Sequence, residues 1–458
     1  MSNPTGGDIR ADLRRLIPHF NIMDEFIDKS IIIDRAEGAH FWDINGKKYL
    51  DGVSGVFVVN IGYGNRRVIE KIKRQLEKVT YNCLIYSTNT ATLELIKKLS
   101  TVTPEGLNGF FFVSGGSEAV ESAIKISRQY HLHSGFPNKY RVISRWISYH
   151  GATLGALSAT GHPPRRESFE PLLLKFPHIP PAYCYRCPFR KEYPECDVEC
   201  ARKLETVIRT EGADSISAFI AEPIVGLTGG AIAPPKEYFP IVREICDKYN
   251  VHLILDEVIT GFGRTGKMFA LEHWNVKPDI ITVGKGMASG YSPIAAAIVK
   301  EEIIEELRAS GDFISHGHTF GGHPVSCAAA SACLDVILND GLVDNSARMG
   351  EYLMKRLREL DHKIIGDIRG RGLLVGVELV RDKEKKSIFP PDLEVGKMVA
   401  DEALKRGVKI FGLKGADSGL ISDFLTFGPP LIVNKEHIDR IVEVVDESLR
   451  VVEERLSL

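Results

Sequence analysis

Between about residues 108 and 300, short apolar and β-branched runs alternate with helical patterns, and that alternation leaves few architectures open. Strands separated by crossover helices pair in parallel. The segment is therefore expected to form an α/β, doubly wound, mainly parallel sheet with its ligand at the C-terminal strand ends. Runs at 110–113, 141–146, 251–256 and 279–284 supply the clearest strand signals. From about residue 340 the pattern changes. Helices near 345–360 and 393–406, strands near 373–380 and 425–433, and an amphipathic helix from about 436 read as a smaller α+β domain.

Two of the strand ends carry chemistry. The run Val251-His-Leu-Ile-Leu-Asp256 delivers a carboxylate at its C-terminal end, and the strand that follows delivers the amine of Lys285. A carboxylate ending an apolar strand loses hydration and stays ionised only beside a compensating cation. A pyridinium nitrogen is such a cation. If Asp256 keeps the ring nitrogen of pyridoxal phosphate protonated, the ring becomes an electron sink, and Lys285 is the amine that carries the cofactor as an imine and moves the proton once released. Taken singly, Asp256 also fits a turn cap and Lys285 a surface lysine.

The turn Ser114-Gly-Gly-Ser-Glu-Ala119 follows another apolar run and opens a helical pattern. Its backbone N–H groups, the positive end of the helix dipole and the Ser117 hydroxyl suit a phosphate. An ordinary N-terminal cap has the same composition. Beyond the run at 141–146, Tyr149 could cover one face of a pyridine ring and Val258 the other, although a loop aromatic also closes cores.

In this order the motifs resemble the class III pyridoxal-phosphate aminotransferases of fold type I. The resemblance runs from Asp51-Gly-Val-Ser-Gly to Pro429-Pro-Leu and takes in Ser114-Gly-Gly-Ser-Glu-Ala119, Tyr149-His-Gly151, Glu222-Pro223, Asp256-Glu-Val258, Lys285 and His318-Thr-Phe-Gly-Gly-His-Pro324. It implies Lys285 as the residue holding the cofactor, Asp256 on the ring nitrogen, Gly116 and Ser117 on the phosphate, and Tyr149 stacked on the ring. It implies that Thr319 binds the phosphate of the neighbouring subunit's cofactor, so that a homodimer is required. Glu222 would join the polar network around ring and substrate, or serve as a structural ion-pair partner. Three units are expected: an N-terminal segment, 1–65, packing with the small domain; a large cofactor-binding domain, 66–335; and a small C-terminal domain, 336–458.

Bulk composition narrows the partners. With 58 Lys plus Arg against 60 Asp plus Glu, the net charge is −2, and no basic run points to nucleic acid or an anionic membrane. The first twenty residues are polar and interrupted by Pro and Gly, unlike a secretory signal, and no apolar run is long enough to span a bilayer. Cytoplasm is the expected compartment.

Four of the eight cysteines, Cys184, Cys187, Cys196 and Cys200, cluster in a Pro- and Tyr-rich insertion at 182–202. They are expected as a structural metal knuckle holding zinc, or as an iron–sulfur site like the one that animal 4-aminobutyrate transaminases build on a Cys-x-x-Cys pair; free thiols or disulfides are the other readings. His316, His318 and His323 follow no ligand spacing and are expected to make ordinary hydrogen bonds.

The substrate pocket is less legible. Many class III enzymes bind the substrate carboxylate with an arginine upstream of the Pro-Pro element, yet no arginine occurs between Arg406 and Arg440. Lys414, Arg165 and Arg166 are the substitutes. Apolar Val225 and Leu227 stand where the 4-aminobutyrate and ornithine enzymes carry Gln and Glu, and Phe57 stands where amine:pyruvate and ω-amino acid transaminases carry an aromatic pocket wall. The expected reaction is transfer from an ω-amino acid or primary amine to an oxo acid, pyruvate ahead of 2-oxoglutarate, by a ping-pong route through pyridoxamine phosphate. A pyridoxal-phosphate-dependent racemase or aminomutase needs the same lysine, aspartate and phosphate site. A non-catalytic metal-binding protein that kept only the scaffold is the reading from another class.

Overall fold

The structure is a computed structural model and describes residues 9–414 and 422–458. Its central layer is a seven-stranded sheet ordered Leu107–Val113, Ala295–Lys300, Ile280–Val283, His252–Asp256, Ile216–Ala221, Arg141–Arg145, His178–Ile179. The last five strands in that order pair in parallel. Ala295–Lys300 runs antiparallel to both neighbours. The connection that reverses it holds only the short 3-10 turn Lys285–Met287 and no crossover helix, which a parallel pairing needs.

Ile216–Ala221, His252–Asp256 and Ile280–Val283 are buried at every position. Successive side chains serve opposite faces. Ile254 and Ile280 pack with Val120 and Ala123 of the helix Gly116–His133, whereas Leu253, Leu255 and Ile281 join the core that contains Phe239 and Val242 of the helix Tyr238–Lys248. A sheet covered on both faces reads as continuous apolar runs, which is why these strands were visible in the sequence. The chemistry-bearing residues follow the last apolar positions of these strands.

The first strand extends back to Leu107, where Gly109 pairs with Val299 and Leu107 with Lys300 across an irregularity at Asn108, although Asn108 and Gly109 interrupt the apolar run. Gly109 is needed there, because a Cβ would lie 2.6 Å from the Val299 side chain. Farther along the chain, the strands Ile365–Arg371, Leu374–Leu379, Phe424–Phe427 and Phe411–Leu413 form an antiparallel sheet, flanked by Leu342–Arg358, Val395–Lys405 and Lys435–Leu456. The strand expected over 425–433 stops at Phe427, since Pro429 and Pro430 have no N–H for a ladder. Lys48–Asp51 pairs in parallel with Val408–Lys409, so strands from both ends of the chain share a third sheet.

Candidate active site

Asp256 is 4% exposed at the C-terminal end of its strand, in register with Thr282 of the neighbouring strand. Thr282 Oγ1 donates to Asp256 Oδ1 at 3.0 Å, and the Val258 N–H donates to the same oxygen at 3.1 Å. His150 Nδ1 lies 2.8 Å from the other oxygen, Oδ2, with His150 itself buried. The carboxylate is thus held from three sides and its direction is set. His150 Nε2 is buried and has no hydrogen-bond partner among the described residues. This histidine was quoted within Tyr149-His-Gly151 but given no role, because its contact spans 106 positions of sequence that no local pattern links.

Lys285 follows Gly284 at the end of the adjacent strand and has φ 43°. Its Nζ makes no ion pair among the described residues and lies 5.9 Å from the centroid of the Phe57 ring. Burial pulls the amine down to about 8 from an ordinary 10.5; the Arg264 charge pushes the same way, while Asp256 and Glu222 oppose the shift. Arg264 is fully buried and holds together three parts of the chain. Its Nη1 donates to the carbonyls of Leu373 at 3.1 Å and Pro429 at 2.5 Å, and its Nη2 donates to Ser54 Oγ and Asn60 Oδ1 at 3.1 and 2.7 Å. It was missed because its partners come from distant segments.

One prediction follows from the lysine alone. An amine is nucleophilic only when neutral. In the apoprotein, the rate of pyridoxal phosphate capture is therefore expected to rise with pH through about 8, well below the 10.5 of a free lysine. Stopped-flow absorbance across roughly pH 6.5 to 12 checks it, a range that brackets both values. The linkage has a definite sign. The folded chain binds fewer protons than the unfolded one between pH 8 and 10.5, so this group costs stability below pH 8 and the cost is relieved as pH rises through that window.

Gly116 opens the helix Gly116–His133, and a Cβ there would lie 2.8 Å from Val258 Cγ1. Gly151 has φ 142°, and a Cβ on it would meet Ser117 Oγ at 2.4 Å. Ser117 Oγ accepts from the Ala152 N–H at 3.1 Å. The helix N-terminus, Val258 and the 150–152 loop therefore close on one another as far as glycine allows. Glu222 is buried, its carboxyl raised by burial, with Oε1 accepting from the Tyr149 N–H at 3.0 Å and Oε2 from the Gly226 N–H at 2.8 Å. Tyr149 is half-buried, and burial raises its phenol.

Phe57 is fully buried at φ 60°, between Lys285 and Phe411, whose ring centroid is 5.9 Å away. Val225 is buried and Leu227 half-buried. Thr319 is exposed, its carbonyl accepting from the Tyr81 hydroxyl at 3.0 Å. His316 Nε2 lies 2.9 Å from Ser122 Oγ, His318 Nδ1 lies 3.7 Å from Glu118, and His323 packs against Tyr81.

The expected metal knuckle finds no support among the described residues. Cys184, Cys187, Cys196 and Cys200 line one cavity, and all are free thiols. Among the described residues, no group of three or more His, Cys, Asp or Glu side chains could hold a metal ion. The cavity wall also includes Pro181, Tyr183, Phe189 and Tyr193, and burial pushes the Cys200 thiol up to about 12 and raises that of Cys184.

The donor set fits pyridoxal phosphate: a buried amine, a fixed carboxylate on the adjacent strand end, a buried nitrogen at His150 with no hydrogen-bond partner among the described residues, and a helix N-terminus walled by glycine contacts. Comparison with known proteins agrees. The family described as aminotransferase class-III matches residues 24–449. The chain is 40% identical to the uncharacterised aminotransferase YodT of Bacillus subtilis, over 93% of this chain and 96% of that protein. It is 34% identical to the putrescine–pyruvate aminotransferase of Pseudomonas aeruginosa, over 94% and 93% of the two chains. Among solved structures, a thermostable (S)-enantioselective omega-transaminase from Thermomicrobium roseum superposes with a TM-score of 0.91 at 36% identity, covering 97% of this chain and 98% of that one.

Proposed function

Because this chain belongs to the class III aminotransferase family, we propose that it moves an amino group from an ω-amino acid or primary amine to pyruvate, in two half-reactions at one site. The observation that carries this reading is the buried Lys285 amine, held near neutrality beside Asp256 on the adjacent strand end. Pyridoxal phosphate, when bound, supplies the ring that takes up the electron pair left at the donor carbon. Asp256, held by His150, Thr282 and the Val258 N–H, would meet the ring nitrogen of the bound cofactor and keep it protonated. Gly116 and Ser117 hold the phosphate with the helix N-terminus. Tyr149 and Val258 flank the ring. Lys285 would hold the cofactor through its amine and, once free, would serve as the proton carrier, a task that suits an amine titrating near 8. Glu222 fixes the Tyr149 backbone.

Pyruvate as acceptor is supported by the apolar wall of Phe57, Val225 and Leu227 and by the Pseudomonas relative, whose name pairs putrescine with pyruvate. The functional unit is a homodimer in which Thr319 reaches the neighbouring subunit's phosphate. Ile85 and Tyr86 are 90% and 84% exposed, and Phe320, 57% exposed, adjoins Thr319. Such an apolar surface suits a second copy of the chain.

The test is the visible spectrum of the cofactor-saturated protein, before and after a panel of primary amines and ω-amino acids, and then after pyruvate. A donor is expected to bleach the cofactor band and pyruvate to restore it. Bleaching that 2-oxoglutarate reverses and pyruvate does not would replace the acceptor. A reaction that needs no oxo acid would point to a racemase or aminomutase.

A further inference from the structure

Three cations are near enough in sequence logic to read a substrate carboxylate, and the structure separates them. Lys414 lies 3.8 Å from Glu394 and is half exposed, so it has a counter-ion. Arg166 is buried and consumed by the fold: its Nη1 donates to the carbonyls of Leu157 at 3.1 Å, Ser158 at 3.0 Å and Thr160 at 2.6 Å, and its Nε to Glu170 at 2.8 Å. Arg165 has no such commitment. Its guanidinium lies over the Phe20 ring, 3.8 Å from the centroid, and it forms no ion pair with any carboxylate among the described residues.

Position makes that free charge relevant. The loop bearing Tyr149 is tied to the Gly161 loop, since the Ile147 N–H donates to the Gly161 carbonyl at 2.8 Å and the Gly161 N–H to the Ser148 carbonyl at 3.1 Å. Arg165 stands in the next turn, Pro163–Arg166, whose orientation Arg166 fixes from inside. The Arg165 charge acts on the Tyr149 phenol, whose ionisation burial disfavours, and on the neighbouring His162, which burial keeps neutral down to about 4. A half-buried guanidinium without a counter-ion among the described residues, beside the aromatic residue proposed to flank the cofactor, is short of an anion. Its planar fork matches the two oxygens of a carboxylate.

We propose that Arg165 is the residue through which this pocket binds the carboxylate of its substrates, so that the donor is an ω-amino acid in preference to an uncharged amine. The proposal rests on the transaminase reading above and adds a residue and a substrate class to it. One arginine serves both half-reactions: it takes the distal carboxylate of the donor and then the carboxylate of the oxo acid.

The test uses a carboxylate that cannot react. Butyrate and butyramide are titrated calorimetrically into the holoenzyme, wild type and Arg165→Gln. A charge-assisted pair of hydrogen bonds contributes about 1.5–3 kcal/mol, so the butyrate Kd is expected to rise about 10- to 100-fold in the variant while the butyramide Kd moves far less. Arg165→Lys keeps the charge without the fork, so partial recovery is expected, and it stands in if Arg165→Gln does not fold. In the half-reaction, the preference for 4-aminobutyrate over butylamine should fall by a similar factor. An unchanged butyrate Kd, or no butyrate binding by the wild type, overturns the proposal. A wild-type holoenzyme that binds butyrate but that no donor bleaches would instead overturn transamination and leave the Arg165 assignment standing.

Discussion

Lys285→Ala is expected to lower turnover by at least about 10³-fold, since positioned proton transfer alone contributes about 10²–10⁴ and the variant loses the covalent tether as well. Nothing nearby substitutes. The next residue, Gly286, offers no side chain, and a Cβ there would lie 2.2 Å from Asn60 Nδ2. Arg264, the buried cation whose charge acts on Lys285, is committed to two carbonyls, Ser54 and Asn60. Steady-state kinetics measure the loss. Borohydride reduction followed by peptide mass analysis gives an independent readout: the wild-type peptide containing residue 285 gains a pyridoxyl group and the variant peptide gains none. Fold stability should hold or improve, because the substitution removes an amine that burial already disfavours. Undiminished turnover in Lys285→Ala would remove the basis of the proposed function.

Asp256→Asn is expected to cost about 10²–10³ in kcat, the usual effect of removing one preorganised electrostatic partner. The amide keeps the shape of the carboxylate and can still accept from Thr282 and the Val258 N–H, so what it loses is the charge. Asp256→Ala differs. It leaves the Thr282 hydroxyl and His150 Nδ1 buried without this partner, at about 1–3 kcal/mol for each unsatisfied group. Comparing the two variants separates electrostatics from scaffold. Thermal unfolding of the apoproteins should place Asp256→Asn near the wild type and Asp256→Ala clearly below it, while both lose turnover. Equal unfolding temperatures for the two variants would mean that the Asp256 network does not contribute to the fold.

Much of this site was readable before any coordinates because its residues follow strong local signals. Asp256 and Lys285 end apolar strands that are buried at every position, and burial on both faces leaves an unbroken apolar run in the sequence. Ser117 begins a helix after a glycine turn, where chain direction and peptide dipole already define an anion site. In each case the determinant lies within a few residues of the functional atom. That locality is why the order of motifs along the chain pointed to the family and to these residues as candidates.

Other features depended on contacts that sequence separation conceals. The His150 to Asp256 pairing joins two strand ends, and Arg264 reaches Ser54, Asn60, Leu373 and Pro429 from elements far apart in the chain. The four cysteines illustrate the opposite limit. Their spacing suggested a metal site, and the fold does bring all four to one cavity, yet no metal-binding group is found among the described residues. Arg165 and Arg166 are adjacent and chemically identical in the sequence. Tertiary structure alone assigned one to backbone carbonyls and left the other beside Tyr149, because the orientation of a turn, and with it the partner of each side chain, is set by packing that local sequence does not encode.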